Sequence, residues 1–180
     1  SGDVLTLGTT TGTFDTKNVG TNKTVTFGSG VLAGADAGNY QLTGPLTTTA
    51  TITPRPLTIA ITGPVGKEYD ATANATLGAN QFALNNTVAG DTLTVSGPAQ
   101  GSYATPDAGQ NTTVSATGTF QVGGSDAANY RIGTVNLASG VNLVDATASG
   151  TGGSITPATL TYVADPAVRL VDPVDEYEVR

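Results

Sequence analysis

The chain reads as a mainly β protein built from elongated tandem modules with at most short helices. Three observations predict this. Short stretches alternate apolar and polar residues with period two, the pattern of a strand with one face on a core. The 180 residues include 24 Gly and 9 Pro, which favour many turns over long helices. A set of motifs is written twice, in the same order.

In chain order, the strand signals are VLTL from Val4, KTVTF from Lys23, ATITP from Ala50 and LTIAI from Leu57. They continue as TLTVSG from Thr92, TTVSATGTF from Thr112 and LTYVA from Leu160. Threonine suits half-buried strands, because its branched side chain packs on the pleat and its hydroxyl accepts water. The stretches GTN, SGP, TPDAGQN and TGGS are expected as turns between them. The apolar sides of these strands predict that Leu57, Ile59, Leu93, Val114, Tyr40 and Tyr130 are buried.

The repeat sets the module boundaries. SGDVLTL at Ser1 matches AGDTLTV at Ala89, and GTFDTKNVG at Gly12 matches GSYATPDAG at Gly101. GADAGNYQL at Gly34 matches GSDAANYRI at Gly124, and ITPRPLTI at Ile52 matches ITPATLTY at Ile155. The offset is 88 residues at the start, 90 between Tyr40 and Tyr130, and 103 between Pro54 and Pro157. The excess falls in the Gly/Ser/Ala-rich stretch after the second tyrosine. A period near 90–100 residues suits whole modules in tandem. Residues 1–54 are then the C-terminal part of a first module, 55–157 a complete second module, and 158–180 the start of a truncated third. The chain reads as a fragment of something longer.

Within the doubled nonapeptide, Asp36 and Asp126 are placed to cap the following amides and start a single turn, which Asn39 and Asn129 close. Tyr40 and Tyr130 then enter a strand. The other use of these oxygens is calcium, with Asp36, Asn39, Asp126 and Asn129 as its candidate ligands. One Asp and one Asn per copy fall short of the roughly six to eight oxygens calcium takes, so no metal is expected.

Composition excludes several functions. The net charge is −7, with only seven Lys and Arg, which disfavours nucleic acid and anionic membrane surfaces. No apolar run approaches the roughly 18 residues of a membrane span, so no membrane insertion is expected. The chain has no Cys and no His, which removes thiol chemistry and the commonest general base and metal ligand. No enzyme activity and no cofactor are expected. The charged KEYD stretch at Lys67–Asp70 reads as a strand start with surface charges and a buried Tyr69.

The motifs together resemble a known family. GKEYDATANATL from Gly66, VAGDTLTVSG from Val88, GSYATPDAGQNTTVS from Gly101 and GSDAANYRI from Gly124 resemble, in order, the YDG-type repeat. YVADPAVRLVDP from Tyr162 resembles the start of an MBG domain. The glycine that names the YDG repeat is Ala71 here, a residue that resists positive φ. Such modules occur in filamentous haemagglutinin-like adhesins of bacterial surfaces. The resemblance favours a β-grasp-like sheet over the alternative, an Ig-like β-sandwich. A β-grasp sheet requires a helix within residues 71–91.

What the resemblance implies is a structural stalk of a large secreted, cell-surface adhesin, projecting a binding head in adhesion and biofilm formation. Its partners would be adjacent modules of the same chain. The prolines of TPRPL at Thr53–Leu57 stiffen the junction between modules. The alternative is that the modules themselves bind glycan, ice or another cell-surface or host protein. Rows of Thr, or the rings of Phe14, Tyr69 or Tyr103, would then make the contact.

Overall fold

The computed structural model describes residues 2–8, 11–28, 30–44 and 46–161. Of the third module expected over 158–180, residues 162–180 lie outside the described residues, and with them most of the LTYVA strand. The described chain is mainly β, and its helical elements are three single 3₁₀ turns.

The first copy contributes β1 (Thr6–Leu7), β2 (Gly12–Phe14), β3 (Gly20–Phe27), β4 (Leu32–Ala33) and β5 (Thr47–Ile52). Strand β3 lies between β2 and β5, both antiparallel, and β1 pairs with β4. The second copy opens with β6 (Arg55–Ile61), β7 (Val65–Glu68), β8 (Asn74–Thr76) and β9 (Phe82–Asn85). It continues with β10 (Thr94–Ser96), β11 (Gln100–Tyr103), β12 (Gly109–Gly123), β13 (Tyr130–Ile132), β14 (Val135–Asn136) and β15 (Asn142–Thr156).

The long antiparallel pair β12 and β15 is the spine of the second copy, running from Gly109↔Ile155 to Val122↔Asn142 with register shifts between Gln110 and Val114. Strands β10 and β11 flank β12, and β8 extends the sheet beyond β11. Strand β7 runs parallel to the C-terminal half of β15, while β6 joins β9 and β13.

The two copies share their pairing register. Tyr103 opposite Val114 repeats Phe14 opposite Val25, and Val95 opposite Val122 repeats Leu7 opposite Leu32. Gly109 opposite Ile155 repeats Gly20 opposite Ile52, and both pairs are followed by a register shift. Inside that shift Asn22 and Asn111 take φ of 54° and 56°, the left-handed region that asparagine tolerates better than most residues. GTN is therefore a bulge within β3 rather than a turn between strands.

TGGS also departs from expectation: it lies within β15. A Cβ on Gly152 would come within 2.5 Å of the Gly63 carbonyl, and one on Gly150 would collide with the Ile61 carbonyl. These glycines act as close-approach residues, letting the chain after β6 pass against β15. Residues 71–91 hold no α-helix. They form β8, one 3₁₀ turn at Ala79–Gln81, and β9. Phe82 and Leu84 of β9 face the core cluster, with Phe82 edge-on to Phe120 at 5.3 Å between centroids.

The core belongs to the second copy. Tyr130, Phe120, Ile155, Val114 and Val122 are its largest fully buried side chains. Leu57, Ile59 and Val114 are buried, as expected, while Leu93 is only partly buried against the cluster. Tyr40 is the exception, at 47% exposed against 1% for Tyr130. Strand β6, which lies beside Tyr130, has no described counterpart over Tyr40. Tyr69 is also exposed, because β7 ends at Glu68 and the chain turns away from the sheet. The buried ring of that region is Tyr103, whose hydroxyl donates to the Val65 carbonyl at 2.8 Å.

Candidate functional site at the joint between the repeats

The doubled nonapeptide and the doubled Gly-Asp motif are two halves of one local structure. Gly124 has φ of +118°, and a Cβ there would strike the Thr92 carbonyl, so only glycine lets the loop come so close. The approach allows Asp126 Oδ2 to accept the Thr92 amide at 2.9 Å. The chain then makes its 3₁₀ turn at Ala127–Asn129 and enters β13. Tyr130 reaches back, and its hydroxyl donates to Asp91 Oδ2 at 2.7 Å while accepting the Val88 amide at 3.0 Å.

The first copy repeats the arrangement. Gly34 has φ of +120°, Asp36 Oδ2 accepts the Val4 amide at 2.8 Å, and the Tyr40 hydroxyl donates to Asp3. The aspartates thus cap a neighbouring strand from a distance of more than thirty residues, rather than the turn that follows them. Neither Asp36 nor Asp126 makes a side-chain bond to its own 3₁₀ turn.

In the second copy this structure is also a socket for the first. The loop between β2 and β3 inserts Lys17, whose Nζ lies 2.6 Å from Asp91 Oδ1 and 3.2 Å from Asp126 Oδ1. Asn129 Oδ1 accepts the Val19 amide at 2.9 Å, and Asn129 Nδ2 donates to Asn18 Oδ1 at 3.3 Å. Only Thr53 and Pro54 separate β5 from β6. On the far side of that linker Arg55 is clamped to Asn86, through the backbone carbonyl at 2.8 Å and the side chain at 2.6 Å. A cleft of about 310 Å³ remains between the copies, bordered by Val19, Ile52, Val88 and Tyr130.

The electrostatics follow from these contacts. The Lys17 ammonium, and then the Tyr130 hydroxyl, hold the Asp91 carboxyl below its ordinary range. The Thr92 amide, and then Lys17, do the same for Asp126. Lys17 is raised in turn, by Asp91 first and Asp126 second. Burial, with Asp91 adding to it, pushes the Tyr130 hydroxyl up and keeps it a neutral donor.

The four candidate calcium ligands are therefore split between two sites, one in each copy. The Asp126 and Asn129 oxygens are already taken by Thr92, Lys17 and Val19. In the first copy Asp36 is engaged by Val4, and Asn39 closes the turn through its backbone amide to the Asp36 carbonyl at 3.0 Å. Among the described residues no three acidic, His or Cys side chains gather as a metal-binding group.

The KEYD cluster forms a separate turn. Lys67 Nζ bonds Asp70 Oδ1 and the Thr72 carbonyl, each at 2.6 Å, and lies 5.6 Å from the centre of the Tyr103 ring. Lys67, followed by the Thr72 amide and hydroxyl, lowers the Asp70 carboxyl to about 2. Ala71 follows with φ of +62°, so the left-handed turn is kept although the residue is not glycine.

Reading the residues singly found Asp36, Asp126 and the paired tyrosines, but missed Lys17, Val19 and Asp91 as one contact set. The available signal was that Gly-Asp and Gly-x-Asp recur together in both copies.

These features describe a mainly β repeat chain whose doubled motifs build the module and its joint. Residues 1–51 and 53–138 match the model of the YDG domain family. The chain belongs to that family. The break between the two matches falls at Ile52, the last residue of β5 and the edge of the joint. Strand β15 lies beyond the second match, although β12 pairs with it along nearly its whole length. No curated protein and no solved structure matches the chain. Among the described residues no helix is long and apolar enough to cross a membrane.

Proposed function

We propose that the chain is a structural repeat segment of a large secreted bacterial surface adhesin, serving to hold a binding head away from the cell. The observation that carries this reading is the joint. A two-residue linker and a loop seated in a socket of charged and amide groups restrain one repeat against the next. Side chains of recurring motifs are used up in the fold and the joint, as a spacer requires. The MBG-like character of residues 162–180 and the surface location belong to the same proposal.

A second reading, in which the modules bind glycan, ice or a host protein, is favoured by one feature. Thr117 and Thr147 stand opposite each other on exposed strand faces, 2.9 Å apart, with Thr119 bonded to Asp145 beside them. Tyr103 has no part in it, since its ring is buried.

One experiment separates the two. In the parent protein, the segment is either deleted or replaced by an unrelated rigid module of equal length, and adhesion of intact cells is measured. The spacer reading expects deletion to lower adhesion and replacement to restore it. Failure of the replacement, with the protein still displayed on the surface, would favour binding by the modules themselves.

A further inference from the structure

Both copies carry one loop of the same shape, and the two loops differ in charge. It spans residues 15–19 between β2 and β3 and residues 104–108 between β11 and β12. The same backbone bond closes each, from the Asp15 amide to the Thr24 carbonyl at 3.0 Å and from the Ala104 amide to the Thr113 carbonyl at 2.8 Å. Each ends at a glycine paired with the isoleucine of an Ile-Thr-Pro sequence, Gly20 with Ile52 and Gly109 with Ile155. In both copies the loop therefore sits beside the point where the chain leaves the copy.

What the loops present is different. Lys17, Asn18 and Val19 stand where the second copy has Pro106, Asp107 and Ala108. All three residues of the first loop make the joint: Lys17 with Asp91 and Asp126, Asn18 with the Asn129 Nδ2, and the Val19 amide with the Asn129 Oδ1. The socket residues, by contrast, are common to both copies, since Asp3, Asp36 and Asn39 match Asp91, Asp126 and Asn129.

A Pro-Asp-Ala loop against such a socket would bring a third carboxylate to its paired aspartates and remove the ammonium between them. Arg55, which borders the same cleft, is already bonded to Asn86. Like charges brought together at a contact exclude a partner, as matched charges admit one.

We infer that this loop selects the neighbour of each repeat: a copy with the Lys-Asn-Val loop takes a repeat with the paired-aspartate socket behind it, and the second copy, with Pro106 and Asp107 there, rejects one. The order of the repeats is then set by the charge of a single loop. This inference stands on the contacts of the joint and the difference between the loops, and it holds whether the repeats act as spacers or bind for themselves.

The test grafts the second loop onto the first copy of the full chain, as Lys17→Pro with Asn18→Asp and Val19→Ala, with one spin label in each copy. The grafted residues already close this loop in the second copy, so the first copy should keep its fold, which the amide resonances of β3 and β5 report. The narrow distance expected of the native chain should be lost. Asp91→Asn with Asp126→Asn in the grafted chain should narrow the distribution again, since an asparagine Oδ1 still accepts from the Tyr130 hydroxyl and the Thr92 amide. Val19→Ala alone, with Lys17 kept, should leave the distance narrow. If the graft disturbs the first copy, Lys17→Glu makes the same charge reversal on the native loop and must give the same loss. A graft that docks as narrowly as the native loop would overturn the inference. So would a neutral socket that fails to recover the grafted chain, an equal loss from Val19→Ala alone, or a native chain that is itself broad.

Discussion

At the scale of single residues, the chain shows the same side chain in two environments. Tyr130 is buried, and its hydroxyl bridges Asp91 and the Val88 amide. Tyr40 keeps the aspartate contact, but no described strand lies beside it as β6 lies beside Tyr130. Tyr130→Ala should destabilise the second copy by roughly 3–5 kcal/mol, the usual cost of truncating a buried aromatic. Tyr40→Ala should leave that transition in place, and thermal unfolding by circular dichroism distinguishes the two. An equal loss from both variants would mean that Tyr40 is packed in solution. Ala71 offers an opposite case. Its φ of +62° costs an L-residue roughly 1–2 kcal/mol, part of which glycine returns as entropy of the unfolded chain. Ala71→Gly should therefore raise stability by about 0.5–1 kcal/mol, and Ala71→Val should lower it, both read from denaturant midpoints.

At the scale of elements, the decisive feature is the length of β12 and β15. The longer offset at the prolines does not make a loop. It extends β15 to fifteen residues, so that Asn142–Thr147 pair with the far half of β12, where the described strand β5 of the first copy begins only at Thr47. Strand β15 must also let the chain after β6 pass, and its glycines provide the space. Gly150→Ala would press a methyl group into the Ile61 carbonyl. The expected loss is roughly 1–3 kcal/mol, the range for forced overpacking, with faster amide exchange at Ala60 and Ile61. A variant as stable as the parent would show that β6 and β15 are less closely apposed than the structure has them.

At the scale of the whole molecule, the joint couples copies that have separate sheets. Its carboxylates, Asp91 and Asp126, are held below their ordinary range. Groups with lowered values stabilise the folded arrangement above about pH 4 and lose that contribution as acid titrates them. Lys17, raised above its usual value by the same carboxylates, contributes while they are ionised and loses its share on the alkaline side beyond about pH 10.5. The joint should thus be tightest between these limits. Spin labels placed one in each copy should give a single narrow distance near neutral pH that broadens below about pH 4. Lys17→Met should broaden the neutral distribution and flatten much of its pH dependence. A wild-type distribution that is broad at neutral pH would remove the joint as an ordering device.

Much of this was legible in the residues. Period-two alternation located β3, β5, β6 and β12, because a half-buried strand must alternate whatever surrounds it. The repeat itself was visible, and so was the importance of Asp36, Asp126, Tyr40 and Tyr130, since a turn motif announces itself through residue types that act on their own backbone. The amino-acid sequence by itself determined the fold class, the twofold repetition and its YDG character. What only the tertiary structure decided were the properties that depend on a distant partner. Tyr40 and Tyr130 sit in near-identical local sequence, yet one is covered by β6 and the other is not. Asp126 bonds an amide thirty-four residues away, and Lys17 finds its carboxylate seventy-four residues along the chain. Burial and ion pairing are set by which segments meet in space, and two copies of one motif differ as soon as their neighbours differ.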